Sequence, residues 1–321
     1  MVEGRLIEVR VARKSLVATD IAALELVPVD GAALPAFTAG AHIDVHLPGG
    51  LVRQYSLCND PKETHRYVIG VLKEPASRGG SVAVHALGEG DRLTIAEPRN
   101  HFALVQGADV SLLLAGGIGI TPLLGMAEQL AADAQRFELH YCVREPARAA
   151  FRERIEDGPL AAHARLYFDS APAEARADLR AIIGTPETAR HLYVCGPAGF
   201  IDAVLSTARA LGWAESHLHK EYFAAATPPA LDGGAFRVKL ASTGQIVEVG
   251  AHQTVVESLA AAGVVVPTSC EQGVCGTCLT RVIAGRPDHR DMYLTDEERE
   301  ANDQFLPCCS RACTPELVID L

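Results

Sequence analysis

Short apolar runs broken by glycine and proline fill the first hundred residues of the chain. Residues 6–11, 23–27, 43–47, 52–57, 67–72 and 92–96 read as β-strands, and their near-even spacing predicts a small antiparallel β-barrel. One helix is expected inside it, over residues 81–87. From about Asp109 the pattern changes to fully apolar runs followed by helical stretches: a strand at 110–115, a helix at 121–132, a strand at 137–143. Apolar segments at 164–168 and 191–195 and a helix at 199–211 continue the alternation, which predicts a parallel α/β sheet. Residues 224–234 have no period and include the adjacent Pro228 and Pro229, as a connector does. After it, 236–240 and 245–249 read as a hairpin and 255–262 as a helix. The expected division is a barrel domain at 1–105, an α/β domain at 106–226, a linker at 227–234 and a small α+β domain at 235–321.

Composition fits several packed cores, since 321 residues suit two or three domains and 48% are hydrophobic. No apolar run approaches the roughly 18 residues that span a bilayer, so no membrane partner is expected. A net charge of −11 argues against nucleic acid, whose phosphates need clustered lysine and arginine. Residues 1–14 lack the apolar stretch of a secretory signal and the nine cysteines are an odd count, so a reducing cytoplasm is expected rather than disulfides.

Four of those cysteines change the picture. Cys270, Cys275, Cys278 and Cys308 follow the order C-x4-C-x2-C-x29-C, the spacing by which plant-type ferredoxins hold a [2Fe-2S] cluster. Gly273 and Gly276 let the loop wrap and turn its N–H groups toward sulfur. A zinc site normally pairs two C-x2-C turns, whereas the distal partner here lies in Pro307-Cys308-Cys309-Ser310. Cys309 competes as fourth ligand, and the spacing favours Cys308.

Two segments of the barrel form a candidate phosphate cradle. Arg53-Gln54-Tyr55-Ser56-Leu57 ends a strand with a cation, an aromatic ring and a hydroxyl. Ser77-Arg78-Gly79-Gly80-Ser81 opens the expected helix with a second cation, and its glycines allow close approach to an anion. An ordinary strand and an ordinary turn are the bland alternatives. The cluster tips the balance, because a nicotinamide gives electrons in pairs and an iron-sulfur centre takes them singly, which calls for a flavin between them.

A strand also runs through Gly116-Gly117-Ile118-Gly119-Ile120-Thr121-Pro122 into a helix, the form that receives a pyrophosphate. Pro122 replaces the third glycine of G-x-G-x-x-G, so the two-wing dinucleotide fold is not implied. Cys195-Gly196-Pro197 ends a later strand at the same carboxyl edge, where open α/β sheets bind ligands. Cys195 either borders the nicotinamide or is a buried core cysteine.

Nearly the whole chain, from Arg53-x-Tyr55-Ser56-Leu57 to its last residues, resembles the phthalate dioxygenase reductase type, which includes reductases of vanillate O-demethylases. The resemblance implies an FMN barrel, an NAD domain and a β-grasp ferredoxin domain in that order. It assigns Arg53, Ser56, Arg78, Gly80 and Ser81 to FMN, with Tyr55 against the ring and Ser56 near flavin N5; Leu57 and Gly79 belong to the same segments. It places Gly117, Gly119, Thr121, Cys195, Gly196 and Pro197 at the nucleotide and stacks Phe223 on the flavin. Ser56, Thr121, Cys195 and Phe223 are the residues expected nearest the hydride. Asp288-His289-Arg290-Asp291 also matches the family, and a surface turn with paired charges is the expected account of it.

The implied function is electron transfer from NADH through FMN and the cluster to a separate oxygenase, most simply a Rieske non-haem iron enzyme acting on an aromatic acid. Two rivals stand beside it: a reductase for a haem-thiolate monooxygenase, and a ferredoxin-like redox sensor whose upstream domains do not turn over. The chain carries no C-x-H pair of its own, as a Rieske centre would require. Between 235 and 321 twelve acidic side chains stand against seven basic ones, which suits a basic docking face on the partner.

Overall fold

The computed structural model describes residues 5–75, 77–224 and 232–321, so most of the expected linker at 227–234 lies outside the described residues. The chain forms two bodies, Met1–Glu221 and Tyr222–Leu321.

The first body opens with β1 (Leu6–Ala18), β2 (Ile21–Pro28), β3 (His42–Leu47), β4 (Leu51–Ser56) and β5 (Tyr67–Leu72), then α1 (Gly80–Ala86) and β6 (Arg92–Ala96). These strands make one antiparallel sheet in the order β4-β3-β6-β1-β2-β5. A bridge between Leu57 and Ile69 joins its two ends, closing the sheet into the expected barrel. Val9, Val11, Leu24, Leu26, Ile43, Val45, Leu57 and Ile95 fill it with no exposed surface. β1 runs seven residues past the expected strand, because 12–18 pair with β2 through two register shifts that no simple alternation announces.

The same body continues with β7 (Val110–Gly116), α2 (Ile120–Ala132), β8 (Phe137–Val143), α3 (Arg152–Glu156), β9 (Ala164–Phe168), α4 (Leu179–Ile183), β10 (Arg190–Cys195), α5 (Ala198–Ala210) and β11 (Leu218–Glu221). Its strands are parallel in the order β11-β10-β7-β8-β9. Leu112, Leu113 and Leu114 are fully buried, as a strand covered on both faces must be. One continuous core takes Ile21, Ala23 and Val68 from the barrel strands together with Leu123, Met126 and Phe151 from the α/β layer.

In the second body, β12 (Phe236–Leu240), β13 (Ile246–Val249), α6 (Val255–Ala261), β14 (Thr280–Ala284), β15 (Pro287–Asp288), α7 (Asp296–Ala301), β16 (Gln304–Phe305), β17 (Arg311–Ala312) and β18 (Glu316–Ile319) follow. The sheet order is β13-β12-β18-β14-β16, with β12 and β18 parallel and α6 packed against it, a β-grasp arrangement. Thr254 and Glu257 close a capping box at the start of α6, satisfying two backbone N–H groups reciprocally. No helix among the described residues is long and apolar enough to cross a membrane.

Candidate functional sites

β4 and α1 bring the cradle residues together. A Cβ on Gly80 would lie 2.6 Å from Arg53 Cγ, so the arginine stem crosses the first turn of α1 only because Gly80 has no side chain. Gly79 holds φ +89, a conformation that favours glycine. Arg53 Nη2 donates to the Arg78 carbonyl at 3.4 Å, joining the two cationic segments. Ser81 Oγ accepts from the Glu74 N–H at 3.1 Å and donates to Ser77 Oγ at 3.0 Å, fixing the loop between them. With only seven residues, α1 adds little dipole, and the charge for an anion comes from the two arginines. Burial pushes the Tyr55 phenol up to about 12 against the pull of Arg53, so it is a neutral ring. Ser56 is buried at the strand end. Leu57 gives its side chain to the barrel core and its N–H to the Ala41 carbonyl, which leaves its own carbonyl as the group free of those duties.

The nucleotide candidates meet at a topological switch point. From β7 the chain lays β8 and β9 on one side, and it later lays β10 and β11 on the other, so the carboxyl ends of β7 and β10 form the switch point at which open α/β sheets bind ligands. The turn after β7 and the turn after β10 press backbone to backbone there. A Cβ on Gly119 would lie 2.3 Å from the Cys195 carbonyl oxygen, and one on Gly196 2.9 Å from Gly116 Cα. Gly117 takes φ +53 between them. Thr121 is buried and donates its hydroxyl to the Ile118 carbonyl at 3.0 Å, so it stabilises the turn from within. Pro197 lies in van der Waals reach of Gly116. Cys195 has no exposed surface, and burial with the Glu221 carboxyl nearby keeps its thiol well above its ordinary range.

Glu221 escaped the sequence reading. It is the β11 partner of Cys195, its Oε2 is shut off from solvent with no hydrogen-bond partner, and burial pushes its carboxyl up to about 8. Nothing in the string His219-Lys220-Glu221 reveals that a charge will be buried. The native state keeps this group protonated while the unfolded chain ionises it near 4.5, so it lowers stability as pH rises from 4.5 toward 8. Glu221→Gln is expected to remove that part of the decline, seen as a smaller difference in melting temperature between pH 5 and pH 8.

In the second body the four cysteine thiols gather. Cys270 interacts side chain to side chain with Cys275 and with Cys308, and Cys278 with Cys308. Among the described residues no group of three or more His, Cys, Asp or Glu is placed to hold a single metal ion. A two-iron group held by four thiolates suits thiols that stand side by side in the order Cys275, Cys270, Cys308, Cys278. The Gln272 N–H donates to Cys270 Sγ at 3.4 Å, a donor of the kind that stabilises charged sulfur, and Cys275 Sγ donates to the Thr277 hydroxyl at 3.3 Å. Gly273 at φ +74 and Gly276 at φ +72 are required: a Cβ would meet Cys309 Sγ at 2.4 Å or the Tyr293 ring at 2.3 Å. The neighbouring Cys309 thiol turns toward the Leu306 carbonyl at 3.6 Å and the Ser310 hydroxyl at 3.8 Å. Cys278 and Cys308 are buried while Cys270 and Cys275 are partly exposed, which marks the side nearer solvent.

The account of Asp288-His289-Arg290-Asp291 as a surface turn with paired charges holds for the charges, since Arg290 pairs with Asp288 at 2.6 Å, but not for the exposure. The Asp291 side chain is fully buried and His289 nearly so. Asp291 Oδ2 accepts from the Tyr293 and Leu294 N–H groups at 3.1 and 2.8 Å, and the Met292 N–H reaches the Gly273 carbonyl at 2.9 Å. This turn clasps the cysteine loop. Phe223, in the second body, is 38% exposed.

Comparison with known proteins agrees with this anatomy. A 2Fe-2S iron-sulfur cluster binding domain model matches residues 238–313, and an oxidoreductase NAD-binding domain model matches 113–206. The chain is 56% identical to vanillate O-demethylase oxidoreductase of Pseudomonas sp. (strain HR199 / DSM 7063), over 98% of this chain and all of the relative. The solved structure of phthalate dioxygenase reductase, described as modular for electron transfer from pyridine nucleotides to [2Fe-2S], shares 38% identity. It superposes with a TM-score of 0.77 over 98% of both chains. An intact type IV self-sufficient cytochrome P450 monooxygenase matches at 37% identity and TM-score 0.85, covering 98% of this chain and 41% of that one. Identity of this extent over essentially full length, on a barrel, a switch-point sheet and a β-grasp body in the same order, makes the chain a member of the oxidoreductase family of vanillate O-demethylase oxidoreductase and phthalate dioxygenase reductase.

Proposed function

We propose that the chain carries electrons from NADH, through FMN in the first body and a [2Fe-2S] cluster in the second, to a separate Rieske non-haem iron oxygenase acting on an aromatic acid in the cytoplasm. One observation carries this: a parallel sheet with a topological switch point and four gathered thiols belong to the same chain. FMN, when bound, supplies the exchange between two-electron and one-electron chemistry. Arg53 and Arg78 neutralise its phosphate, Gly79, Gly80 and Ser81 let it approach, Tyr55 and Phe223 border the ring, and Ser56 offers a hydroxyl at its N5 edge. Gly117, Gly119 and Thr121 shape the seat of the dinucleotide, and Cys195, Gly196 and Pro197 border its nicotinamide. Positioning is the main catalytic contribution of these residues. Cys270, Cys275, Cys278 and Cys308 hold the cluster. The functional division is 1–105 for FMN, 106–226 for NAD, 227–234 as tether and 235–321 for the cluster.

Anaerobic NADH titration tests this directly. Flavin absorbance is expected to bleach first and cluster absorbance next, in protein containing iron and inorganic sulfide in equal amounts. A flavin that stays oxidised would instead indicate the sensor. The P450 match gives a haem-thiolate partner a second claim, and the choice rests on which oxygenase accepts electrons in reconstitution.

Arg144 and Glu145 follow β8, both exposed, with Glu145 3.4 Å from Arg148. Arg144 suits a 2'-phosphate, whereas the Glu145 carboxylate repels one and accepts from a ribose hydroxyl, so the pair does not decide the coenzyme. The family resemblance favours NADH, which is expected to exceed NADPH in kcat/KM for dye reduction by about tenfold or more. Equal efficiencies would remove the preference.

A further inference from the structure

A cavity of about 370 Å³ lies beside the β15–β17 ribbon of the second body, within the roughly 300–1,000 Å³ of small-molecule sites. The proposed function gives it no role. Three basic side chains, Arg286, His289 and Arg299, line it together with the carboxylates of Asp288 and Glu300 and with Cys313. The ribbon decides which of these face one another. β15 and β17 pair through Pro287↔Ala312 and Asp288↔Arg311, so the same register sets Arg286 opposite Cys313. The Cys313 N–H donates to the Arg286 carbonyl at 2.9 Å, and the Arg286 N–H donates to Thr314 Oγ1 at 3.0 Å, which extends the pairing by that step. Residues directly opposite across an antiparallel pair share a face, with Cβ atoms about 4.5–5.5 Å apart. The arginine stem therefore leaves the ribbon beside the thiol.

The basic side chains are only partly used. Among the described residues the Arg286 guanidinium makes no hydrogen bond or ion pair. His289 lines the cavity with a side chain nine-tenths buried, and neither ring nitrogen has a hydrogen-bond partner; Nδ1 stays 3.8 Å from Asp291 Oδ1. Arg299 donates from Nη2 to the Asp291 carbonyl at 2.5 Å, and its Nε is buried without a partner. Leaving such atoms unpaired is costly, and a ligand with carboxylate and carbonyl oxygens removes the cost. Of the two acids, Asp288 is engaged, because its Oδ2 accepts from Arg290 Nε at 2.8 Å and from Nη2 at 2.6 Å. Of the nine cysteines Cys313 alone is exposed, so its sulfur is the one a solute reaches most readily.

We propose that Cys313 is a site of reversible modification by the disulfide of a small acidic thiol, whose carboxylates are met by Arg286 and Arg299 and whose ammonium is met by Glu300. The Cys313 thiolate attacks one sulfur of that disulfide. The old S–S bond breaks as the new one forms, Cys313 is oxidised, and the departing half is reduced. The proton that Cys313 gave up goes to the departing thiolate. A glutathionyl group carries two carboxylates and one ammonium on such a thiol, and this is the charge pattern the cavity complements. Reduction by a second thiol reverses the step.

Full-length holoprotein incubated with glutathione disulfide is expected to gain one glutathionyl group, mapped to Cys313 by peptide mass analysis and removed by dithiothreitol, with iron content unchanged. Cys313→Ser should gain none. Cystamine, a disulfide with ammonium groups and no carboxylates, separates recognition from mere exposure. Arg286→Gln should slow the reaction with glutathione disulfide about three- to tenfold without slowing that with cystamine, and Arg286→Lys should recover part of the loss. S-methylglutathione, which cannot form a disulfide, should protect wild-type Cys313 from the neutral alkylating agent iodoacetamide. An adduct on another cysteine, no adduct, or a glutathione disulfide rate indifferent to Arg286→Gln overturns the proposal. Should Arg286→Gln lose its iron, the wild-type protein decides alone: protection by S-methylglutathione sustains the site, and its absence overturns it.

Discussion

Cys308→Ser is expected to leave a yellow protein that still reduces dyes with NADH but has lost its iron and delivers no electrons to an oxygenase. The Cys308 thiol is the one that reaches both Cys278 and Cys270, so its removal takes a ligand from one side of the thiol group and a neighbour from the other. A serine hydroxyl is a harder and weaker ligand for iron at neutral pH than a thiolate. Electron delivery should fall by about a hundredfold or more, a loss beyond that usual for an outer-shell change. Dye reduction should stay within about twofold, because the proposed flavin and nucleotide residues other than Phe223 belong to the other body, and Phe223 is far from Cys308 in sequence. Cys309→Ser is the control. Its thiol faces the Leu306 carbonyl, so serine there should keep the iron and lower stability by about 1 kcal/mol. Iron and sulfide analysis with the low-temperature spin resonance of the reduced cluster reads both. Loss of iron in Cys309→Ser with its retention in Cys308→Ser would exchange the two roles.

Those neighbours show how far a string of residues reaches. Spacing singled out Cys308, but only the folded chain shows where the Cys309 sulfur turns. The same limit appears across the molecule. The barrel and the parallel sheet were legible because their strands are long enough to stand out as apolar runs between turn residues, as in the unbroken Leu112-Leu113-Leu114. In the second body β15, β16 and β17 have two residues each, too short for any pattern to exist. α7 has no apolar face, and its only advance sign is the capping box of Thr295 and Glu298. Asp291, Arg311 and Glu221 were misread or passed over for a common reason: composition places charged residues outside, and burial of a charge depends on partners distant in sequence. Arg311 finds its carbonyls at positions 234, 250 and 253. Glycines tell a similar story, since those of the β7 turn were visible as a motif while the atoms they make room for were not.

Gly119 carries the second large effect. Its φ of −62 is open to any residue, so the demand for glycine is purely one of space. An added methyl would sit 2.3 Å from the Cys195 oxygen, 2.4 Å from its carbonyl carbon and 2.5 Å from the Gly196 nitrogen. All three are backbone atoms, and β10 is held in register by β7 on one side and β11 on the other, so the turn cannot yield cheaply. Gly119→Ala must therefore push the start of α2 away from Cys195-Gly196-Pro197 and disturb the seat proposed for the nucleotide. Displacing a seat by about 1 Å costs on the order of a hundredfold in a rate that depends on alignment, and overpacking removes about 1–3 kcal/mol of stability. The expected result is a rise in KM for NADH together with a fall in kcat for dye reduction, while FMN and iron content stay intact. Gly199→Ala separates crowding from the mere loss of a glycine, because a Cβ there meets nothing within 4 Å. That substitution lies in α5 and should leave kinetics unchanged while raising stability by about 0.4–1 kcal/mol. Were both alanines equally active, the contact between the two turns would have no part in seating the nucleotide.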